Sequence, residues 1–205
     1  MPRLFAALPL PDEVVDEIAA WHAGASLALS AADWREVRRE NWHLTLAFYG
    51  EVAGSEADDL AEALEGCASE AAPVRLRLAA PGVFPSLARP RVFWLGVEEV
   101  GNEEPRGGRA LAALARCCRR AGRATLRKRS AKDTPFRAHV TLARNRGFPV
   151  PMAASLFADM PAVPDIAWWA EEVVLFRSEL RPEGARYRAL ERFALKGPVK
   201  TDKES

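Results

Sequence analysis

His43-Leu44-Thr45-Leu46-Ala47 returns, 139 − 43 = 96 residues later, as His139-Val140-Thr141-Leu142-Ala143. Both copies read histidine, aliphatic, threonine, leucine, alanine, and they use two of the chain's three histidines. In a β-strand successive side chains point to opposite faces. His43 and Thr45 therefore share one face and Leu44 and Leu46 the other; His139 and Thr141 stand likewise against Val140 and Leu142. Each strand offers an imidazole and a hydroxyl about 6–7 Å apart on one side and an aliphatic anchor on the other. A lone histidine on a strand is usually structural. A patterned tetrapeptide of uncommon residues that occurs twice points instead to a duplicated fold whose two equivalent strands meet at a cleft.

Around these strands the pattern alternates between strand and helix. Leu4 to Leu10 is a short apolar run between prolines, a buried strand. Pro11-Asp12-Glu13 opens a helix that runs to about Leu29. His22 lies on it without a partner motif and reads as a solvated or capping side chain. Asp33 to Val37 is a short strand, and a helix from Ser55 to Ala71 is stopped by Pro73. Val74 to Leu78 alternates as a half-buried strand; a Pro-, Gly- and Arg-rich loop then leads to a strand at Val92 to Val97. Glu98 to Gly108 is a polar loop and Arg109 to Gly122 a helix. After the second motif come a short helix at Met152 to Met160 and a long strand from Ile166 to Arg177. A turn at Pro182-Glu183-Gly184 joins that strand to a partner at Tyr187 to Leu195. Lys196 to Ser205 is polar and expected to be disordered.

The chain is 49% hydrophobic and 28% charged, which suits a globular protein, and its net charge of +1 favours no class of partner by itself. Charge is uneven, however. Arg116 to Arg137 holds nine basic residues against Asp133 alone and runs straight into the second motif, which favours a phosphate-backbone contact over a solvated surface. No apolar run approaches a membrane span, and Met1 to Phe5 enters a strand without a signal-peptide core. Three cysteines, two of them adjacent (Cys117 and Cys118), suggest neither a disulfide framework nor a zinc pattern; a reduced, cytoplasmic protein is the simplest expectation.

The two motifs and their surroundings resemble the two-histidine (2H) phosphoesterases, and among them the RNA 2′,3′-cyclic phosphodiesterases of the LigT/ThpR type, first met as 2′-5′ RNA ligases. The resemblance rests also on Arg3-Leu4-Phe5-Ala6-Ala7 and on Asn41-Trp42 before the first motif. Gly82-Val83-Phe84-Pro85, Arg89 to Gly96 and Pro135-Phe136-Arg137-Ala138 add to it, with Arg144, Val173 to Ser178 and Tyr187. It covers residues 3 to 195 in order. It implies an α+β fold of two pseudo-symmetric lobes, each an antiparallel sheet with helices outside. The expected organisation is one two-lobed domain over residues 1–195 and a tail over 196–205, with both termini in one lobe and the protein a monomer.

The implied chemistry is metal-independent opening of RNA 2′,3′-cyclic ends to 2′-phosphomonoesters, with the reverse 2′-5′ ligation also possible. Such a reaction needs a base for water, an acid for the departing oxygen and donors for a charged phosphorane. Histidine serves both proton roles near neutral pH. The resemblance makes His43 the proton donor and His139 the acceptor, whereas the symmetry of the residues alone leaves the two roles interchangeable. Thr45 and Thr141 are candidate substrate contacts. Arg144 is another, although odd–even counting turns it away from His139 unless the strand bulges. Phe5, Phe48 and Trp94 could stack a base but read as core, Phe48 more so because alternation puts it opposite His43. No metal or cofactor is implied, and the partner is RNA or a nucleotide bearing a 2′,3′-cyclic phosphate. Competing readings are a relative acting on another cyclic or 2′,5′-linked nucleotide, to be separated by parallel assays, and a non-catalytic RNA-binding module, which the intact motifs argue against.

Overall fold

The computed structural model describes residues 2–26, 34–101, 109–127, 135–148, 150–181 and 184–198. Its elements are β1 (Arg3–Pro9), α1 (Asp12–Ala25), β2 (Trp34–Glu36), β3 (His43–Glu51), α2 (Gly54–Glu70), β4 (Val74–Phe84), β5 (Val92–Glu99), α3 (Arg109–Thr125), β6 (His139–Asn145), β7 (Ala167–Ala170), β8 (Glu172–Arg181) and β9 (Gly184–Ala194). The strands run β7-β4-β5-β6-β3-β1-β8-β9, with β2 added to β6. Every pairing is antiparallel.

The order divides at its middle into two matching sets of four, β3-β1-β8-β9 and β6-β5-β4-β7. They join through one residue pair, Leu44 with Val140, the central aliphatic residues of the two motifs. The motif strands thus lie side by side at the centre, related by a pseudo-twofold between Leu44 and Val140. This is the expected duplicated α+β architecture. Both ends of the sheet-forming chain, β1 and β9, fall in the first half.

Two of the three α-helices among the described residues cross over. α1 leaves β1 yet packs on the other half, where Trp21 and His22 stack on Phe93 of β5 at 6.3 and 6.1 Å. α3 leaves β5 and packs behind β3. There Tyr49 Oη donates to Cys118 O (3.1 Å) and Arg119 Nε to Leu46 O (3.3 Å). α1 thus covers the half opposite its own strand, while α3 covers the other half together with α2, which follows β3 and stays on its own side against β8 and β9. The fully buried Leu44, Leu46, Val140, Leu142 and Phe93 belong to this helical side. No helix among the described residues is long and apolar enough to cross a membrane.

Several expectations are corrected. The single strand expected over 166–177 breaks at Glu171. β7 pairs with β4 and β8 with β1, so the chain changes halves there. β4 continues past an irregularity at Ala79/Pro81 to Phe84, where a loop was expected. Residues 152–160 contain only a 3-10 turn, Ala154–Phe157. His22 is not solvated: it is buried between Phe93 and the edge of Trp42, 3.6 Å from Glu36. Cys67 of α2 and Cys117 of α3, 50 positions apart, are joined in a disulfide with Cα atoms 5.8 Å apart. The cysteine argument for a reducing compartment therefore fails. Only Cys118 keeps a thiol, and burial pushes it up to about 12. Lys196 and Gly197 donate to Ala68 O and Ala71 O, so order extends past the expected start of the tail. Leu27, Asp33, Pro182, Glu183, 102–108 and 199–205 lie outside the described residues.

Candidate active site

Along β3 the exposure pattern from His43 is intermediate, buried, intermediate, buried, buried, exposed, buried, and β6 repeats it from His139. The first four positions are the expected alternation. At the fifth, both strands change phase. Ala6 pairs with Ala47 and Ala7 with Thr45, so Leu46 is an extra residue against β1. Phe93 pairs with Ala143 and Trp94 with Thr141, so Leu142 is the equivalent extra residue against β5. A bulge at the same motif position in both strands returns the side chain five residues after each histidine to the histidine's own face. In β6 that side chain is Arg144, as its candidate role requires. In β3 it is Phe48, which is 60% exposed rather than part of the core.

The two imidazoles are held alike. His43 Nδ1 lies 2.7 Å from Asn41 O, and His139 Nδ1 lies 2.6 Å from Arg137 O. A carbonyl only accepts, so each Nδ1 carries a hydrogen and each neutral ring presents Nε2 as its lone pair. His43 Nε2 accepts from Thr45 Oγ1 at 2.9 Å. The antiparallel register through Leu44 and Val140 sets His43 toward Thr141 and Thr45 toward His139. The four motif side chains therefore gather on one face around the pseudo-twofold.

Aromatic rings wall in both histidines. Phe5 lies 4.8 Å from His43, Tyr187 stands edge-on at 5.3 Å, and Phe176 stacks behind Phe5 at 5.2 Å. On the other side Phe84 meets His139 edge-on at 5.0 Å and Trp94 lies 5.9 Å away. Trp94 lies so close over Gly82 on the neighbouring strand that any Cβ there would collide with the ring. The Arg137 guanidinium sits 4.4 Å over Trp94. Among the described residues, no three His, Cys, Asp or Glu side chains group as a metal site.

A model of LigT-like phosphoesterases matches residues 8–94. An RNA 2′,3′-cyclic phosphodiesterase of Thermus thermophilus is 33% identical over 199 residues, covering 95% of this chain and 91% of the relative. The chain belongs to the LigT-like phosphoesterase family. An enzyme of the same description from Geobacillus stearothermophilus is 31% identical over 94% of the chain, which spans 57% of that relative's length. A crystal structure of a Thermus thermophilus protein superposes with TM-score 0.77 at 32% identity, covering 96% of this chain and 100% of that one. Escherichia coli LigT complexed with 3′-AMP superposes with TM-score 0.71 at 27% identity, over 95% and 99% of the two chains.

In this LigT-like cleft both imidazoles are pushed below their ordinary 6.5. Burial is the main cause for each; for His43 the result is about 4. The carbonyl bonds from Asn41 and Arg137 act in the opposite direction. The Arg144 charge lowers both histidines and also stabilises ionised Tyr187, whose hydroxyl burial raises. One guanidinium thus reaches both halves of the site. Sequence reasoning did not single out Arg137 or assign a place to Tyr187, and it put Phe48 on the wrong face. The basic run is also divided by the fold. Arg116, Arg119, Arg120 and Arg123 ride on α3 behind the sheet, whereas Arg137 is at the cleft. Residues 128–134 lie outside the described residues.

Proposed function

We propose that this chain hydrolyses RNA 2′,3′-cyclic phosphodiester ends to 2′-phosphomonoesters without a metal ion. The observation that carries the reading is the paired tethering of His43 and His139, each with Nδ1–H on a carbonyl two residues upstream, which makes Nε2 the proton-exchanging nitrogen of each ring, that of His43 beside Thr45 Oγ1. In this mechanism His139 Nε2 takes a proton from water as its oxygen bonds to phosphorus. The P–O3′ bond then breaks, and protonated His43 delivers its Nε2 hydrogen to O3′. Thr45, Thr141 and Arg144 face the phosphorane oxygens and balance their charge. Arriving phosphate offsets Arg144 and favours the imidazolium that His43 needs as donor. With a ribose hydroxyl in place of water, the same arrangement opens the cyclic end into a 2′-5′ phosphodiester: His139 takes the hydroxyl proton as its oxygen bonds to phosphorus, and O3′ leaves with the proton from His43. The described residues through Gly197 serve as one two-lobed unit. Because both motifs come from one chain, a monomer suffices.

The test is incubation with a 2′,3′-cyclic mononucleotide, with and without EDTA. A 2′-phosphate product formed equally in chelator is expected, with His43→Ala and His139→Ala each slower by about a hundredfold or more. A 3′-phosphate product, chelator sensitivity or a fully active histidine variant would overturn the reading.

A further inference from the structure

Where the start of β9 meets the lead-in to β3 there is a cavity of about 570 Å³ bordered by Arg38, Glu40, Asn41, Ala185, Arg186 and Tyr187. Its size is within the range of small-ligand sites. We propose that it binds the phosphodiester that precedes the terminal nucleotide of the RNA end, so that the enzyme reads an RNA chain rather than a lone nucleotide. The proposal rests on the reading of the central cleft as a cyclic-phosphate site.

Position is the first argument. Two residues of the cavity also hold His43: the Asn41 carbonyl accepts from its Nδ1, and the Tyr187 ring stands against its imidazole. The buried Asn41 side chain donates through Nδ2 to Ala185 O at 2.7 Å, clamping β9 onto the lead-in and setting the cavity's walls. The cavity therefore shares two bordering residues with the imidazole assigned to O3′. In a nucleoside 2′,3′-cyclic phosphate the base leaves the ribose at C1′, next to C2′. The upstream chain leaves at C4′, next to C3′. A phosphate held with O3′ toward His43 directs the upstream chain to His43's side of the ribose and the base away from it.

Charge is the second argument. Arg38 and Arg186 face the cavity against a single carboxylate, Glu40, which lies 3.7 Å from Arg38. A second hollow of about 370 Å³, bordered by Glu179, Arg186, Tyr187 and Arg188, adjoins the first through Arg186 and Tyr187. Arginine thus recurs along β9 at 186 and 188, a row of cations that a phosphate-bearing chain can follow. Among the described residues, none of the long basic run that stands out in the sequence borders this wall. Its positive charge comes from residues that are far apart in the chain.

Three substrates test the assignment: a 2′,3′-cyclic mononucleotide, the dinucleotide carrying the same terminus, and that dinucleotide with a neutral methylphosphonate linkage. The wild type should process the charged dinucleotide best. Arg38→Gln/Arg186→Gln, both at exposed side chains, should lower kcat/KM on it by roughly ten- to a hundredfold. The same variant should leave the mononucleotide and methylphosphonate rates within about twofold, with an unchanged melting temperature. An unchanged dinucleotide rate, or equal losses on all three substrates, would overturn the proposal alone. A wild type inactive on all three would overturn the cyclic-phosphate reading and this proposal with it.

Discussion

The pH dependence of turnover tests the electrostatics of the cleft, because the ligand-free enzyme holds both imidazoles on the neutral side. With His43 at about 4, only about one molecule in a thousand carries its proton at pH 7. His139 is also below 6.5. The reaction needs one ring protonated and one neutral, so kcat/KM should trace a bell set by the free enzyme. Both limbs belong to the coupled pair and neither is assigned by shape alone. The expected bell lies below 6.5, and kcat/KM falls about tenfold per pH unit on its alkaline side. Bound phosphate counters Arg144, so the kcat bell should lie at higher pH than the kcat/KM bell. Arg144→Gln removes a charge that lowers both histidines, so its kcat/KM limbs should shift upward even as the rate drops. The assay is initial-rate hydrolysis of a 2′,3′-cyclic mononucleotide at constant ionic strength, from about pH 4 to about pH 9. A kcat/KM that is flat or rising between 6.5 and 8, or an Arg144→Gln profile with unmoved limbs, would refute the reasoning.

On an activated aryl phosphodiester, whose leaving group needs no proton, His43→Ala should recover much of its loss and His139→Ala should not; the reverse result would exchange their roles. The Cys67–Cys117 bond closes a loop of 50 positions, for which chain entropy gives about 4 kcal/mol. Reduction, or Cys67→Ser, should therefore lower the melting temperature by roughly 8–16 °C in a protein of this size, and a melt indifferent to both would show that the bond contributes nothing.

The repeated tetrapeptide was legible because alternation, rare residues and recurrence all point to paired strands, and β3 and β6 do lie together. Its fifth position was not. A bulge is one extra residue against a neighbouring strand, and its only local trace, the consecutive apolar pairs Leu46-Ala47 and Leu142-Ala143, reads equally as a strand end buried on both faces. Phe48 was therefore misplaced, and Arg144 could be credited only on condition of a bend. The helix swap was likewise hidden, since the apolar faces of α1 and α3 say that they are covered but not by which half. The break at Glu171 interrupts a run that alternates well enough to pass for one strand. The places of Tyr187 and Arg137 in the site, and the partner of Cys117, were not legible for a common reason: they are contacts between segments far apart in the chain, without local spacing to betray them.

The bulge that recurs at Leu46 and Leu142 has a consequence for how a ligand is oriented. A perfectly symmetric cleft would accept a nucleotide in two orientations of equal energy, one of which offers the wrong oxygen to each imidazole. The same backbone irregularity, made twice, brings one residue from each half onto the cleft face, and the halves differ there: a cation at 144, a benzyl ring at 48. A difference of only about 1.4 kcal/mol between the two orientations favours one tenfold. The duplicated backbone supplies two matching imidazoles, and the different residues on its matched bulges add to the different rings around each histidine in removing the degeneracy between them.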